Sequence, residues 1–177
     1  MDDIDGLIVQ AKETGRKLNV YDVDAPLEMS LLGVLGRQPG GADPIPPFHV
    51  IGQEGFKGVR GNRLATVQKF IDDPSLGKYE LVATDPSGKK VKAATVEDGK
   101  LTVHNEHLFK QSTTVSNSDI TAIAQKPITI ELIQELTAPL PKAFAEQVRK
   151  DLAEYMGHTW QEAIELHGKK PAPDANK

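Results

Sequence analysis

The stretch from residue 78 to residue 104 constrains the fold more than any other part of the chain. Three strand-like segments, 78–84, 89–96 and 100–104, are separated by Asp85-Pro86-Ser87-Gly88 and Glu97-Asp98-Gly99. Proline at the second place and glycine at the fourth are typical of a β-turn, and an Asp-Gly pair adopts positive φ at low cost. Three strands joined by such short turns form an antiparallel meander. The sequence therefore predicts a small antiparallel sheet.

Helical patterns lie on both sides of this meander. Residues 4–11 repeat apolar side chains at helical spacing, and Gly15 can end that helix. Further helices are predicted over 64–71, 128–136 and 141–156, and a last one begins at a capping box, Thr159 with Glu162. Residues 16–23 and 120–124 are predicted to be short strands. The expected fold is α+β, with the sheet packed against the C-terminal helices and the N-terminal helix docked alongside.

The domain organisation follows from length and from one proline-rich segment. The chain has 177 residues, which suits one domain of ordinary size. Residues 36–47 hold four prolines and three glycines, which exclude a helix or a central strand there. Because only about 35 residues precede this segment, it is interpreted as a loop rather than a domain boundary. The prediction is a single domain over 1–168, followed by a flexible tail over 169–177.

Composition excludes several classes of protein. The net charge is -4, whereas a nucleic-acid-binding chain is usually clearly basic. Only the middle third is basic, since residues 48–110 hold ten bases and eight acids. There is no cysteine, so disulfides, cysteine-based zinc sites and cysteine nucleophiles are excluded. No apolar run reaches the roughly 20 residues of a membrane span, and the acidic start does not resemble a signal peptide. A cytoplasmic location is expected, with export by a signal-less route as the alternative.

The most unusual stretch has glycine at every third place, at positions 52, 55, 58 and 61. The same register spaces Lys57, Arg60 and Arg63 three residues apart. In an extended backbone these cations would share a side, and glycine would let backbone amides approach a ligand. The three residues are therefore candidates for binding phosphate or another anionic ligand. Two alternatives stay open: a glycine-rich surface loop, or a helix that starts at Arg63 with Asn62 as its N-cap.

A second cluster, His104, Glu106 and His107, follows the third strand of the meander. Imidazole and carboxylate groups serve as general acids and bases and as metal ligands. All three side chains converge only if the chain turns at Asn105, and otherwise they are ordinary polar residues at a strand end. No metal site and no cofactor are predicted, since the chain has no Walker loop, Gly-x-Gly-x-x-Gly turn or His-Glu-x-x-His motif.

Two functions remain after these exclusions. The first is a soluble, non-enzymatic binding protein whose partner is another protein and whose contact surface is the glycine-rich, basic segment 52–63. The alternative is a small bacterial effector- or toxin-like enzyme, a ribonuclease or nucleotide transferase acting on a phosphate-bearing substrate. That enzyme would use Arg60 and Arg63 at the phosphate and His104, Glu106 and His107 in catalysis. Nucleic acid is a weaker candidate partner, no membrane partner is expected, and the sequence leaves the oligomeric state open.

Overall fold

The computed structural model of this protein describes residues 2–35, 56–85, 87–114 and 117–169. The chain divides into two compact units, each built from two separate segments. Unit 1 consists of Met1–Ala25 and Lys57–Val115, and unit 2 of Pro26–Phe56 and Ser116–Lys177. The predicted loop over 36–47 and the tail from residue 170 onward lie outside the described residues. That residues 1–168 form one domain stays a prediction.

The described ranges contain eight α-helices, two short 3-10 helices and four strands. The α-helices are α1 (Asp2–Thr14), α2 (Leu27–Leu35), α3 (Phe56–Asp72), α4 (Glu106–Thr113), α5 (Asn117–Ala124), α6 (Ile130–Thr137), α7 (Lys142–Leu152) and α8 (Trp160–Gly168). The 3-10 helices are Pro74–Leu76 and Ala153–Tyr155. The strands are β1 (Leu18–Asp24), β2 (Gly77–Thr84), β3 (Lys90–Glu97) and β4 (Lys100–Val103).

The four strands form one sheet in unit 1, in the order β1-β2-β3-β4. The antiparallel meander of β2, β3 and β4 is confirmed. At its second turn Asp98 and Gly99 both have positive φ, at 51° and 72°, as an Asp-Gly turn requires. Strand β1 pairs in parallel with β2, with Asp24 opposite Ala83. The sheet is therefore mixed rather than purely antiparallel, because a crossover connection returns the chain in the same direction.

One face of this sheet carries the core of unit 1. Val67 and Phe70 of α3 and Leu108 of α4 are buried against the strands, and Ile8 of α1 packs on the same cluster. Strand β1 alternates strictly, so Leu18 and its even-numbered neighbours are inward while Tyr21 is 61 % exposed. The α+β class is confirmed. Helices α3 and α4 complete this core, a role that the sequence had assigned to the C-terminal helices.

Unit 2 is helical and has its own core. Leu31 of α2, Ile133 of α6, Leu152 of α7 and Trp160 of α8 are all buried in it. The capping box at the start of α8 is confirmed: Glu162 N donates to Thr159 Oγ1, and Thr159 N donates to the Glu162 carboxylate. The C-terminal helices therefore bury their apolar stripes around α2.

Two local predictions are wrong. Residues 120–124 belong to helix α5 rather than to a strand. Ile120, Ile123 and Ala124 follow helical spacing, and the two isoleucines pack on the core of unit 2. Helix α3 begins at Phe56, so Arg63 lies in mid-helix and is neither extended nor at a helix start. Among the described helices, none is long and apolar enough to cross a membrane.

Candidate functional site

Helix α3 and strand β1 bring four charged side chains together inside unit 1. Arg60 and Arg63 are three residues apart on α3, so they share one face of the helix. Asp22 and Asp24 are two residues apart on β1, so both carboxylates point to the same side of the sheet. These four residues form the arginine–aspartate cluster, which lies at the carboxyl end of a parallel strand.

Arg63 is the centre of the cluster. Its Nε and Nη2 donate to the two carboxylate oxygens of Asp22 at 2.7 and 2.9 Å, a bidentate pair. Its Nη1 donates to Asp24 Oδ1 at 2.8 Å and to the backbone carbonyl of Ser112 at 2.7 Å. The Arg63 side chain is only 1 % exposed. Such charge-assisted bonds are among the stronger hydrogen bonds in proteins, and here they are shielded from water.

Asp24 joins the second arginine to the first. Arg60 donates to both Asp24 oxygens, from Nη2 at 2.6 Å and from Nε at 3.1 Å. The Ser112 hydroxyl donates to Asp24 Oδ2 at 2.9 Å, and the Tyr79 hydroxyl donates to Asp22 Oδ2 at 2.6 Å. Two cations and two anions cancel in charge, and each carboxylate is hydrogen-bonded on more than one side. A buried ionic group is tolerated when it is compensated in this way.

The surroundings also fix the protonation of two groups. Burial by itself lowers the pKa of Arg63, but the adjoining Asp22 and Asp24 carboxylates outweigh it, so the net pKa is raised and the guanidinium stays charged. Burial raises the pKa of Tyr79 well above its ordinary value, and the Asp22 carboxylate raises it further. Tyr79 is therefore neutral at physiological pH and acts as a hydrogen-bond donor.

The three candidate phosphate ligands have different environments. Arg60 and Arg63 turn their guanidinium groups toward carboxylates of the same unit. The backbone of Lys57 lies in the first turn of α3, and its side chain is outside the described residues. An incoming phosphate would therefore have to exchange with an aspartate. That these residues bind phosphate stays a prediction.

The second predicted cluster lies where β4 passes into α4. His104 is exposed, and its Nε2 is 3.0 Å from Thr95 Oγ1. Asn105 is the N-cap of α4, with Oδ1 accepting from Leu108 N at 3.0 Å. Glu106 and His107 are exposed in the first helical turn. A turn at Asn105 therefore exists, but in the part of the chain that the structure describes no three His, Asp or Glu side chains are placed to hold a metal ion.

The strand order separates His104 from the two arginines. Asp24 ends β1 and His104 follows β4, and these are the two outer strands of the sheet. Three strand spacings of about 4.8 Å separate them by roughly 14 Å. A phosphate held by the arginine–aspartate cluster would therefore not contact His104.

Sequence reasoning missed the partners of the arginines. Asp22, Asp24, Tyr79 and Ser112 were not predicted to belong to any site. One signal was present, because Asp22 and Asp24 continue the inward alternation of Leu18 and Val20. A carboxylate on the buried face of a strand requires a cation or several hydrogen-bond donors nearby.

Comparisons with known proteins add sequence relationships to this geometry. No protein-family model matches the chain, and no curated protein matches it. A crystal structure of the AvrRxo1-ORF1:ORF2 complex contains a chain that is 43 % identical, with a TM-score of 0.82, over 95 % of this chain and 50 % of that one. Crystals of the same complex with sulphate ions and with ATP give 42 % identity and TM-scores of 0.80 and 0.78. This chain spans about half the length of the chains that it matches.

Proposed function

We propose that this protein is a binding protein that assembles with a second protein. The observation that carries the proposal is the similarity, 43 % identical over 95 % of the chain, to a chain that was crystallised in a two-protein complex. Because this chain shares both fold and sequence with that chain, a surface that contacts a second protein is expected in both. The proposal applies to the half of the matched chain that this protein resembles.

The outer face of α3 is the contact surface that we assign to this function. One side of the helix buries Arg63, Val67 and Phe70. The opposite side exposes Gly61, Leu64 and neighbouring small or polar residues, and Leu64 is 50 % exposed. A Cβ atom built at Gly61 would meet nothing within 4 Å. The glycine therefore leaves the surface beside the exposed Leu64 open to a partner. The proposed contact surface accordingly moves from segment 52–63 to the outer face of α3.

The arginine–aspartate cluster makes this surface rigid. Arg60 and Arg63 tie the inner side of α3 to β1 through several charge-assisted hydrogen bonds. A surface that is fixed before association loses little conformational entropy on binding. The cluster is thus assigned a positioning role, since it holds Leu64 in place without contacting the partner.

Replacing the exposed leucine tests the assignment. We expect the protein to bind one of the two AvrRxo1 proteins, ORF1 or ORF2, and Leu64→Asp to weaken that binding at least ~30-fold, as for loss of an interface hot spot. The charge would have to be buried against an apolar partner. Isothermal titration calorimetry with each purified AvrRxo1 protein measures the effect.

Leu166→Asp is the matched control, because Leu166 is a 41 % exposed helical leucine in unit 2. It should change the affinity less than about threefold. Equal losses of affinity in the two variants would contradict the assignment of α3 as the contact surface. An absence of binding to both AvrRxo1 proteins would contradict the proposed function.

A second candidate function is binding of a nucleotide through Arg60 and Arg63. It is supported by the similar structures that contain sulphate ions or ATP. It is also supported by the position of the cluster, because ligands of α/β proteins bind outside the carboxyl ends of parallel strands. In this proposal a phosphate replaces the Asp24 carboxylate on Arg60. The roles of His104, Glu106 and His107 stay predictions, and His104 itself follows β4, the strand at the opposite edge of the sheet from β1.

ATP titration tests this second candidate. The unmodified protein should bind ATP with an affinity that falls as salt increases, and Arg60→Gln should lower the affinity at least tenfold. Lys92→Gln, which removes an exposed lysine of β3, should leave it within about twofold. No heat of binding at low salt would contradict the nucleotide function and leave the protein-binding function unaffected.

A further inference from the structure

Unit 2 contains a pocket that neither proposed function uses. It has a volume of about 390 Å³ and lies between α6, α7 and the 3-10 helix that follows α7. This volume is within the range of small-molecule sites in proteins, about 300–1,000 Å³. Its lining residues are Ile130, Ile133, Gln134, Arg149, Ala153 and Met156.

The wall of the pocket is mainly apolar. Two of its lining residues are Ile133, which is buried, and Met156, which is half-buried. Ile130, the first residue of α6, lines the pocket yet remains 59 % exposed. An isoleucine this exposed at the mouth of an apolar pocket gains from contact with an apolar ligand.

Arg149 gives the pocket a fixed positive charge. Its Nε donates to Thr137 Oγ1 at 3.2 Å, and the same hydroxyl donates to the Ile133 carbonyl at 2.7 Å. The arginine on α7 is thereby anchored to α6. Within the described ranges no carboxylate forms an ion pair with Arg149, and its side chain is exposed, so its guanidinium is accessible to a ligand.

We propose that this pocket binds an amphipathic carboxylate, a small molecule with an apolar chain and one anionic head. The chain would occupy the space between Ile133 and Met156 and cover Ile130. The head would accept hydrogen bonds from the two Nη groups of Arg149, a geometry that suits a planar carboxylate. A single cation beside a mainly apolar wall favours a ligand with one negative charge over a polyanion.

Octanoate and its neutral analogue 1-octanol are the probes for this proposal. In calorimetric titrations of the full chain, octanoate should bind with a Kd below about 1 mM and at least tenfold more tightly than 1-octanol. Arg149→Gln should weaken the binding of octanoate at least tenfold and abolish its preference over 1-octanol. Ala153→Phe, at an exposed position that lines the pocket, should fill the space and weaken both probes at least tenfold.

Lys150→Gln is the matched control, because Lys150 is the exposed neighbour of Arg149 on α7 and does not line the pocket. It should change octanoate binding less than twofold. An equal loss in Lys150→Gln and Arg149→Gln would show unspecific charge attraction and overturn the proposal. No octanoate binding at 1 mM, or binding that Ala153→Phe leaves unchanged, would also overturn it. Circular dichroism of each variant confirms that it is folded before it is titrated.

Discussion

Replacing Arg63 with alanine is expected to lower the free energy of unfolding by about 3–5 kcal/mol. The side chain is 1 % exposed and makes four hydrogen bonds, to Asp22, Asp24 and the Ser112 carbonyl. Its removal leaves the Asp22 carboxylate with the Tyr79 hydroxyl as its remaining hydrogen-bond partner among the described residues. The loss therefore combines the broken bonds with the free-energy cost of burying an uncompensated negative charge.

Urea denaturation followed by circular dichroism measures this loss. Lys69→Ala is the matched control, because Lys69 also lies on α3 and pairs with an aspartate, Asp5, but its side chain is 40 % exposed. An exposed ion pair contributes about 0–1 kcal/mol, so this variant should remain close to the unmodified protein. If the two variants lost the same free energy of unfolding, the cluster would not hold α3 on the sheet. The rigid surface proposed around Leu64 would then lose its support.

The double variant Arg63→Ala/Asp22→Asn separates two causes of the loss in the free energy of unfolding. If the cost in Arg63→Ala comes from the unpaired carboxylate, adding Asp22→Asn should recover part of it, since a neutral amide is cheaper to bury than a charge. A further loss in the double variant would instead indicate that packing around Arg63 dominates. Asp22 and Arg63 are in direct contact, so additivity is not expected for them.

Features that depend on neighbouring residues were predictable from the sequence. The turn at Asp98 and Gly99, the helix end at Gly15 and the capping box of Thr159 and Glu162 all occur as expected. In each case the deciding interactions span only a few residues. The meander followed from the same local signals, because short turns force consecutive strands to pair.

The first half of helix α3, before residue 64, was not predictable in this way. Glycines at positions 58 and 61 disfavour a helix by about 1 kcal/mol each, so the local signal favours a loop. Burial of Val67 and Phe70 and the pairing of two arginines with β1 outweigh that cost. The arginines and their carboxylate partners are 36 to 41 residues apart in the chain. No local pattern identifies pairs at that separation, which is why the candidate site appeared in the sequence as cations alone.

The second prediction of a large loss in stability tests the proposal that residues 1–168 unfold as one domain. Replacing Phe70 with alanine should lower the free energy of unfolding by about 3–5 kcal/mol, because the side chain is fully buried in the core of unit 1. The chain has one tryptophan, Trp160, and it lies in the core of unit 2. Its fluorescence therefore reports the unfolding of one unit while the substitution is made in the other.

We expect Phe70→Ala to shift the fluorescence transition of Trp160 as far as the transition seen by circular dichroism. Each unit is assembled from two separated segments, and the chain passes between the units three times, so neither unit is a contiguous stretch of the chain. Leu64→Ala, at an exposed position on the same helix, should move neither transition by more than about 0.5 kcal/mol. A Trp160 transition that stays in place while the circular dichroism transition moves would show two independent domains. Coincident shifts would mean that the arginine–aspartate cluster in unit 1 and the apolar pocket in unit 2 belong to one cooperative structure.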